Sequence, residues 1–313
     1  KSTLWIGKIE RGLHRVNLDD LWAGKATVEK IPGLSNWVTT IYGDSHGVLW
    51  TAGRYRPDGL SQVRGTEVRH FSAATTAGGL PSDSVWCFQE GKDGRLYIGT
   101  SAGLARYDGT NFSVLEGTSD RTVPRGTVFQ ILRDRDDVLW FATDSGLFRY
   151  DGISWSWLDD GDGLPELFVM TVTQGRDDAY WIGTTKGVCC YRPHRRPQPR
   201  PRLTVKTDQE RTSAEKIPPI TSGQLVGFRY DAVDFRTQPS RRLYRCAVVP
   251  GKAETAPAKR DAAWREPTLA TQFDWNPKTP GDYTFFVQEI DRDLNYSEPA
   301  RVTLSVVAPW FAN

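Results

Sequence analysis

The sequence predicts an all-β chain, a β-propeller with about five blades visible and truncated on its N-terminal side, followed by an immunoglobulin-like β-sandwich. Three observations carry this. A short phrase recurs along the first two-thirds, as Leu4-Trp5-Ile6-Gly7, Leu49-Trp50-Thr51-Ala52, Leu96-Tyr97-Ile98-Gly99-Thr100, Leu139-Trp140-Phe141-Ala142-Thr143 and Tyr180-Trp181-Ile182-Gly183-Thr184. From aromatic to aromatic the spacings are 45, 47, 43 and 41 residues, the length of one four-stranded blade. After Tyr191 the repeat stops and a second β pattern begins. Twelve tryptophans against one methionine fit blades that interlock through rigid aromatics, and helix is expected to be scarce.

The third copy shows the corners of a blade best. Gly79-Leu80-Pro81-Ser82-Asp83-Ser84 is a turn delivering the chain to an inner strand, Val85 to Gln89. Gly91-Lys92-Asp93-Gly94 reverses it into the strand Leu96 to Thr100. A short loop with Gly103 feeds Leu104 to Tyr107, Asp108-Gly109 makes a turn needing positive φ, and Phe112 to Leu115 is the outer strand. Matching corners stand at Gly33-Leu34 and Gly163-Leu164-Pro165, at Asp44 to Gly47, Asp136-Asp137 and Asp177-Asp178, and at Tyr150-Asp151-Gly152. The first copy starts at the second strand of a blade and the last ends after its third, so further blades are expected upstream of Lys1. A blade cannot bury both its faces alone, so function is expected on surfaces shared by the array.

The blades are assigned to residues 1–191, a linker to 192–202 and the sandwich to 203–313. In the linker, Arg192, Arg195, Arg196, Arg200 and Arg202 alternate with Pro193, Pro197, Pro199 and Pro201 without an acid. Proline fixes an extended path and forbids sheet pairing there. Beyond it, Val226 to Tyr230, Leu243 to Val248, Tyr283 to Val287 and Val302 to Val307 read as strands, about seven in all. Tyr283 is either the corner tyrosine of such sandwiches or a core tyrosine.

A formal net charge of +2, with acids and bases interleaved, carries no message about nucleic acid or acidic membranes, and no nucleic-acid partner is expected; the arginine-rich linker stretch leaves open the alternative of a basic lipid-facing or nucleic-acid patch. No apolar run approaches the roughly 18 residues that span a bilayer, and no signal leader is read at the start. Cys87, Cys189, Cys190 and Cys246 have no zinc spacing and are read as buried small hydrophobes; neighbours on a strand face opposite ways, so a Cys189–Cys190 disulfide is not expected.

The repeats resemble two-component regulator propeller repeats, whose pattern of Gly-Leu-Pro, Asp-x-x-Gly-x-Leu-Trp-Ile-Gly-Thr, Gly-Leu and Tyr-Asp-Gly stands at Gly79 to Pro81, Asp93 to Thr100, Gly103-Leu104 and Tyr107 to Gly109. The C-terminal part resembles the Tyr-rich (Y_Y_Y) sandwich that follows such propellers. Its cues are Leu243-Tyr244-Arg245, Trp264, Pro280 to Phe285 and Ala308-Pro309-Trp310-Phe311. It departs from that pattern around Phe273-Asp274-Trp275 and at Ala247 to Pro250. The resemblance implies the periplasmic sensing region of an inner-membrane receptor with one transmembrane helix and a histidine kinase in the same parent chain. It further implies a carbohydrate-type ligand, a homodimer through the sandwich, and a membrane-proximal Pro-Trp-Phe ending.

Catalytic, metal and cofactor sites are not expected. Gly99-Thr100-Ser101-Ala102-Gly103 satisfies G-x-S-x-G, but a nucleophile elbow needs a helix after it and here a strand is predicted. Asp159, Asp160 and Asp162, and Asp134, Asp136 and Asp137, lack a full calcium-loop spacing. His14, His46, His70 and His194 are scattered, and read as loop or surface residues. Ligand contacts are expected from loops on the face where inner strands begin: Asn36, Trp37, Arg54, Tyr55, Arg56, Ser82, Asp83, Arg125, Asp144, Glu166, Phe168 and Lys186. Arginine and aromatic side chains suit acidic or stacked sugar rings. Two other readings stay open: a secreted propeller enzyme acting on polysaccharide, and a protein-binding scaffold.

Overall fold

Five antiparallel sheets succeed one another along the first part of the chain, in a computed structural model that describes residues 3–53, 58–115, 123–195, 198–213 and 215–309. Blade 1 has three strands, Thr3–Lys8, Gly12–Asn17 and the short Glu29–Lys30. Blade 2 (Thr40–Gly43, Leu49–Ala52, Leu60–Arg64, Glu67–Phe71), blade 3 (Val85–Glu90, Leu96–Thr100, Gly103–Tyr107, Phe112–Val114) and blade 4 (Val128–Arg133, Leu139–Thr143, Gly146–Tyr150, Trp155–Leu158) have four each. Blade 5 has three, Val169–Gln174, Tyr180–Thr184 and Gly187–Tyr191. Strands of each sheet pair in sequence order, the meander that a propeller blade requires. The helix Leu18–Trp22, five residues long and capped by the Asn17 side chain, interrupts blade 1.

One corner explains the recurring acids. Three residues before the second-strand aromatic the backbone turns left-handed, at Gly47 (φ 74°), Gly94 (φ 71°), Asp137 (φ 63°) and Asp178 (φ 59°). Glycine enters this region freely, and aspartate is among the few other residues that tolerate it. Asp44 and Asp134 stabilise two of these corners, each accepting backbone N–H bonds at 2.9–3.0 Å.

The core lies between blades. Trp50 meets Phe88, Tyr107 and Phe112 of blade 3 at 5.2–6.5 Å, and Tyr97 meets Phe141 and Tyr150 of blade 4 at 6.4 Å. Trp140 stacks on Tyr180 of blade 5 at 3.9 Å. These second-strand aromatics are 1–2% exposed. The repeat spacing is therefore the spacing of the inter-blade rings.

The chain divides into two compact units, residues 1–192 and 193–313. The second unit is an immunoglobulin-like sandwich of two four-stranded sheets. One orders Glu210–Thr212, Arg202–Lys206, Val226–Asp231 and Gln272–Trp275; the other Ile220–Thr221, Ala300–Val307, Gly281–Ile290 and Leu243–Pro250. That is eight strands rather than seven, the extra one being the two-residue Ile220–Thr221, which pairs parallel to Val306 and Val307 and carries no alternation to read. Phe228 stacks on Phe285 at 3.9 Å in a core that includes Val226, Tyr244 and Val287. Tyr283 is the corner tyrosine: its hydroxyl donates to the Thr279 carbonyl at 3.1 Å, four residues upstream.

Linker residues 193–195 and 198–201 form no strand. Their groups bond to the loop after Ile290: the His194 amide donates to Asp293, Gln198 Nε2 to Asp291 at 2.7 Å, and Asn295 Nδ2 to the His194 carbonyl at 2.5 Å. Arg196, Pro197, Trp310 and Phe311 lie outside the described residues. All four cysteines are free. Cys87 and Cys246 are buried, but Cys190 is exposed, which corrects the expectation of four buried thiols. Among the described residues no helix is long and apolar enough to cross a membrane.

Candidate functional site

Each blade carries its chain to one face twice, at the turn between second and third strands and at the crossing from outer strand to the next inner strand. Thr100, Thr143 and Thr184 shape the first kind of turn: each hydroxyl donates to the carbonyl of Gly103, Gly146 or Gly187 at 2.7–3.0 Å. Gly99 to Gly103 is thus part of a hairpin followed by the strand Gly103–Tyr107, with the Ser101 side chain on Ser82 at 2.8 Å. No helix follows to make it a nucleophile elbow.

On this face the structure brings Arg125 and Asp144 together. Both line a cavity of about 640 Å³ whose walls include Phe148, Trp157, Asp159 and Asp160. Its volume lies in the range of small-molecule sites, about 300–1,000 Å³. Asp144 is held by its loop: its Oδ2 accepts the Thr127 amide at 2.8 Å, and its own amide donates to the Thr127 carbonyl at 3.2 Å. Asp159 accepts the Gly161 amide at 2.9 Å, fixing the turn at the cavity edge. Carboxylates and one guanidinium beside an indole offer hydrogen-bond partners for hydroxyl groups around a flat apolar wall.

The remaining predicted residues distribute otherwise. Glu166 and Lys186 meet each other, 3.7 Å apart, with the Thr185 hydroxyl also on Glu166. Phe168, just before the inner strand of blade 5, packs on Phe129 at 4.8 Å, and Phe129 on Trp86 at 5.0 Å, so a ring ladder runs from blade 3 through blade 4 to the start of blade 5. Trp37 lines a separate cavity of about 170 Å³ with Thr51, Ser61 and His70. Asn36 accepts from Lys30 Nζ at 3.0 Å. Ser82 caps its own turn through the Ser84 amide, and Asp83 is a strut, accepting the Ala73 amide at 2.6 Å while its carbonyl takes the Gly59 amide. Arg54, Tyr55 and Arg56 lie outside the described residues.

Sequence reasoning did not select Phe148, Trp157, Asp159 and Asp160, which line this cavity. A signal was present for two of them: an outer strand ends on the same face as an inner strand begins, so Trp157 and Asp159, at the end of Trp155–Leu158, belong with Arg125 and Asp144. Among the described residues no three His, Cys, Asp or Glu side chains are arranged to hold a metal ion. Asp134 is occupied otherwise, by Trp140 Nε1 and the Tyr180 hydroxyl.

Residues 79–102, from the turn before blade 3 through its second strand, match the two component regulator propeller family. The similarity is confined to that stretch of blade 3; the same corner and strand pattern builds the other full blades. No curated protein matches the chain. A crystal structure described as the extracellular domain of the hybrid two component system BT3049 from B. thetaiotaomicron aligns with a TM-score of 0.53 at 18% identity, over 98% of this chain and 43% of that one. A second, described as the extracellular domain of the one component system BT4673 from the same organism, aligns at 16% identity and TM-score 0.47 over 98% and 42%. The first likeness establishes the fold. The chain spans less than half the length of either ectodomain.

Proposed function

We propose that this chain is a sensing region of an extracytoplasmic receptor of two-component type, with a carbohydrate-type ligand seated in the Arg125–Asp144–Trp157 cavity. The regulator propeller repeat and the fold shared with a two-component ectodomain support the sensing role. The observation that carries the site is the cavity itself: about 640 Å³, placed where the loops of blade 4 converge, with an indole wall and fixed carboxylates. Occupancy acts on the output by differential affinity for two arrangements of the receptor, worth typically 1–3 kcal/mol. In this reading the sandwich passes that bias, as a homodimer, to a transmembrane helix and a histidine kinase in the parent chain.

The test is calorimetric titration of the chain with three disaccharide classes, a neutral glucan, a uronate-containing and an amino-sugar disaccharide. One class is expected to bind, with Trp157→Ala weakening it at least tenfold. No binding from any class, or binding indifferent to Trp157→Ala, overturns the assignment of this cavity.

A further inference from the structure

The cavity on the loop face carries a charge of one sign. Among the described residues its lining includes three carboxylates, Asp144, Asp159 and Asp160, against one guanidinium, Arg125. Each acid is set in place by backbone: Asp144 Oδ2 accepts the Thr127 amide at 2.8 Å, and the Gly161 amide is shared by Asp159 Oδ1 at 2.9 Å and Asp160 Oδ1 at 3.0 Å. Among the described residues Asp144 Oδ1 and Asp160 Oδ2 accept no hydrogen bond, so each of two loops holds out a fixed acceptor. Phe148, 5% exposed, and Trp157 supply the apolar wall. The lining runs from Val123 to Leu167, so blade 4 and the loops that flank it build the whole of it.

We infer that this cavity selects a sugar carrying a free amino group, its ammonium paired with these carboxylates and its ring against Trp157. The inference rests on the ligand reading of the same cavity and narrows it to one charge class. An ammonium brings three donors and a full positive charge, and a carboxylate accepts without donating. Three acids against one guanidinium leave two negative charges in excess, and a cleft lined by one sign of charge concentrates ligands of the other. The indole face adds to this, since it attracts cations as well as packing on a ring. A uronate would set a like charge among the carboxylates, which penalises the wrong partner. N-acetylation keeps the ring and removes the charge. The arginine and the aromatic wall, which by residue type suit an acidic sugar, are thus outweighed by the acids around them.

Calorimetric titration of the chain at about pH 6 tests it, with four probes: a β-1,4-linked glucosamine disaccharide, its N,N′-diacetyl form, the corresponding neutral glucose disaccharide and a uronate-containing disaccharide. The glucosamine disaccharide is expected to bind at least tenfold more tightly than the other three, and to weaken as salt is raised. Asp144→Asn and Asp160→Asn are each expected to shrink its margin over the diacetyl form at least threefold, with thermal unfolding of both variants confirming that they fold. Tighter binding of the diacetyl, neutral or uronate probe, lost in Trp157→Ala, overturns the amino-group preference and leaves the cavity as the ligand site. Binding by none of the four overturns the ligand reading and the preference with it. Glucosamine binding that survives Asp144→Asn, Asp160→Asn and Trp157→Ala unchanged lies elsewhere on the chain and overturns the proposal too.

Discussion

Tyr180 of blade 5 donates its hydroxyl to Asp134 Oδ2 of blade 4 at 2.5 Å, and Trp140 Nε1 donates to the same oxygen at 2.7 Å. The other carboxylate oxygen takes the amides of Asp136 and Val138 at 2.9 Å. One buried acid therefore ties a turn, its own blade's aromatic and the next blade together. Hydrogen bonds to a charged group contribute about 1.5–3 kcal/mol each. Tyr180→Phe is expected to lower stability by about that amount in urea unfolding. Asp134→Ala should cost more, because it strands several buried donors at once. Adding Tyr180→Phe to Asp134→Ala should then cost little further, and full additivity would show that the two residues are not coupled.

Gly126 bears on the candidate site. A Cβ there would stand 2.2 Å from Asp144 Oδ1 and 2.6 Å from Oδ2. Gly126→Ala must therefore push the Asp144 carboxylate from its place on the Thr127 amide. The expected outcome is loss of disaccharide binding of tenfold or more with a change in melting temperature of only a few degrees. Unchanged affinity in calorimetric titration would remove Asp144 from the ligand contacts.

Glu289 makes the sandwich sensitive to pH. It is fully buried, neither carboxylate oxygen has a hydrogen-bond partner, and the Arg242 guanidinium stands 3.9 Å away. Burial, then the nearby charge of Asp234, raises its pKa from 4.5 to about 7, against the opposing pull of Arg242, with Asp291 and Asp231 adding to the rise. The folded sandwich holds this proton more tightly than the unfolded chain. Stability is then fully present below about pH 4.5 and is lost as pH rises through about 7. Asp291, whose pKa burial also raises, loses stability in the same direction. Glu289→Gln is expected to raise the melting temperature at pH 8 and to flatten its decline between pH 5 and 8. An unaltered pH profile would show that Glu289 is ionised in the native sandwich.

What the sequence disclosed and what it hid divide along one physical line. Periodic demands were legible: Trp50, Tyr97 and Trp140 recur because each must enter the next blade, and Gly47, Gly94, Asp137 and Asp178 because each corner is left-handed. Contacts made once leave no period. Trp157 reaches the cavity by position on an outer strand, and Asp83, read as a ligand contact, is held by the Ala73 amide. Exposure of Cys190 follows from the uncovered face of blade 5, which neither its residue type nor its neighbour Cys189 announces.

Arg245 is the clearest such unrepeated contact in the sandwich. It is 3% exposed, and its guanidinium lies 4.3 Å from the Trp264 ring and 4.6 Å from the Tyr296 ring. Nε and Nη2 donate to Gln288 Oε1 at 3.0 and 2.7 Å, and Nη1 to the Lys259 carbonyl at 2.7 Å. This planar cation therefore fastens the segment carrying Lys259 and Trp264 to the strand Gly281–Ile290. A lysine keeps the charge but neither the fork nor the flat face that stacks. Arg245→Lys is expected to destabilise the sandwich by about 2–4 kcal/mol, most of it from donors lost and a buried ammonium poorly paired. Trp264→Ala should cost less, because the hydrogen bonds to Gln288 and Lys259 survive it. Proteolysis between residues 251 and 267 provides an independent check, since releasing Arg245 should expose that segment to cleavage before the sandwich unfolds. Equal protection in Arg245→Lys and the parent chain would place the anchor elsewhere, on the Thr268–Tyr244 backbone pair.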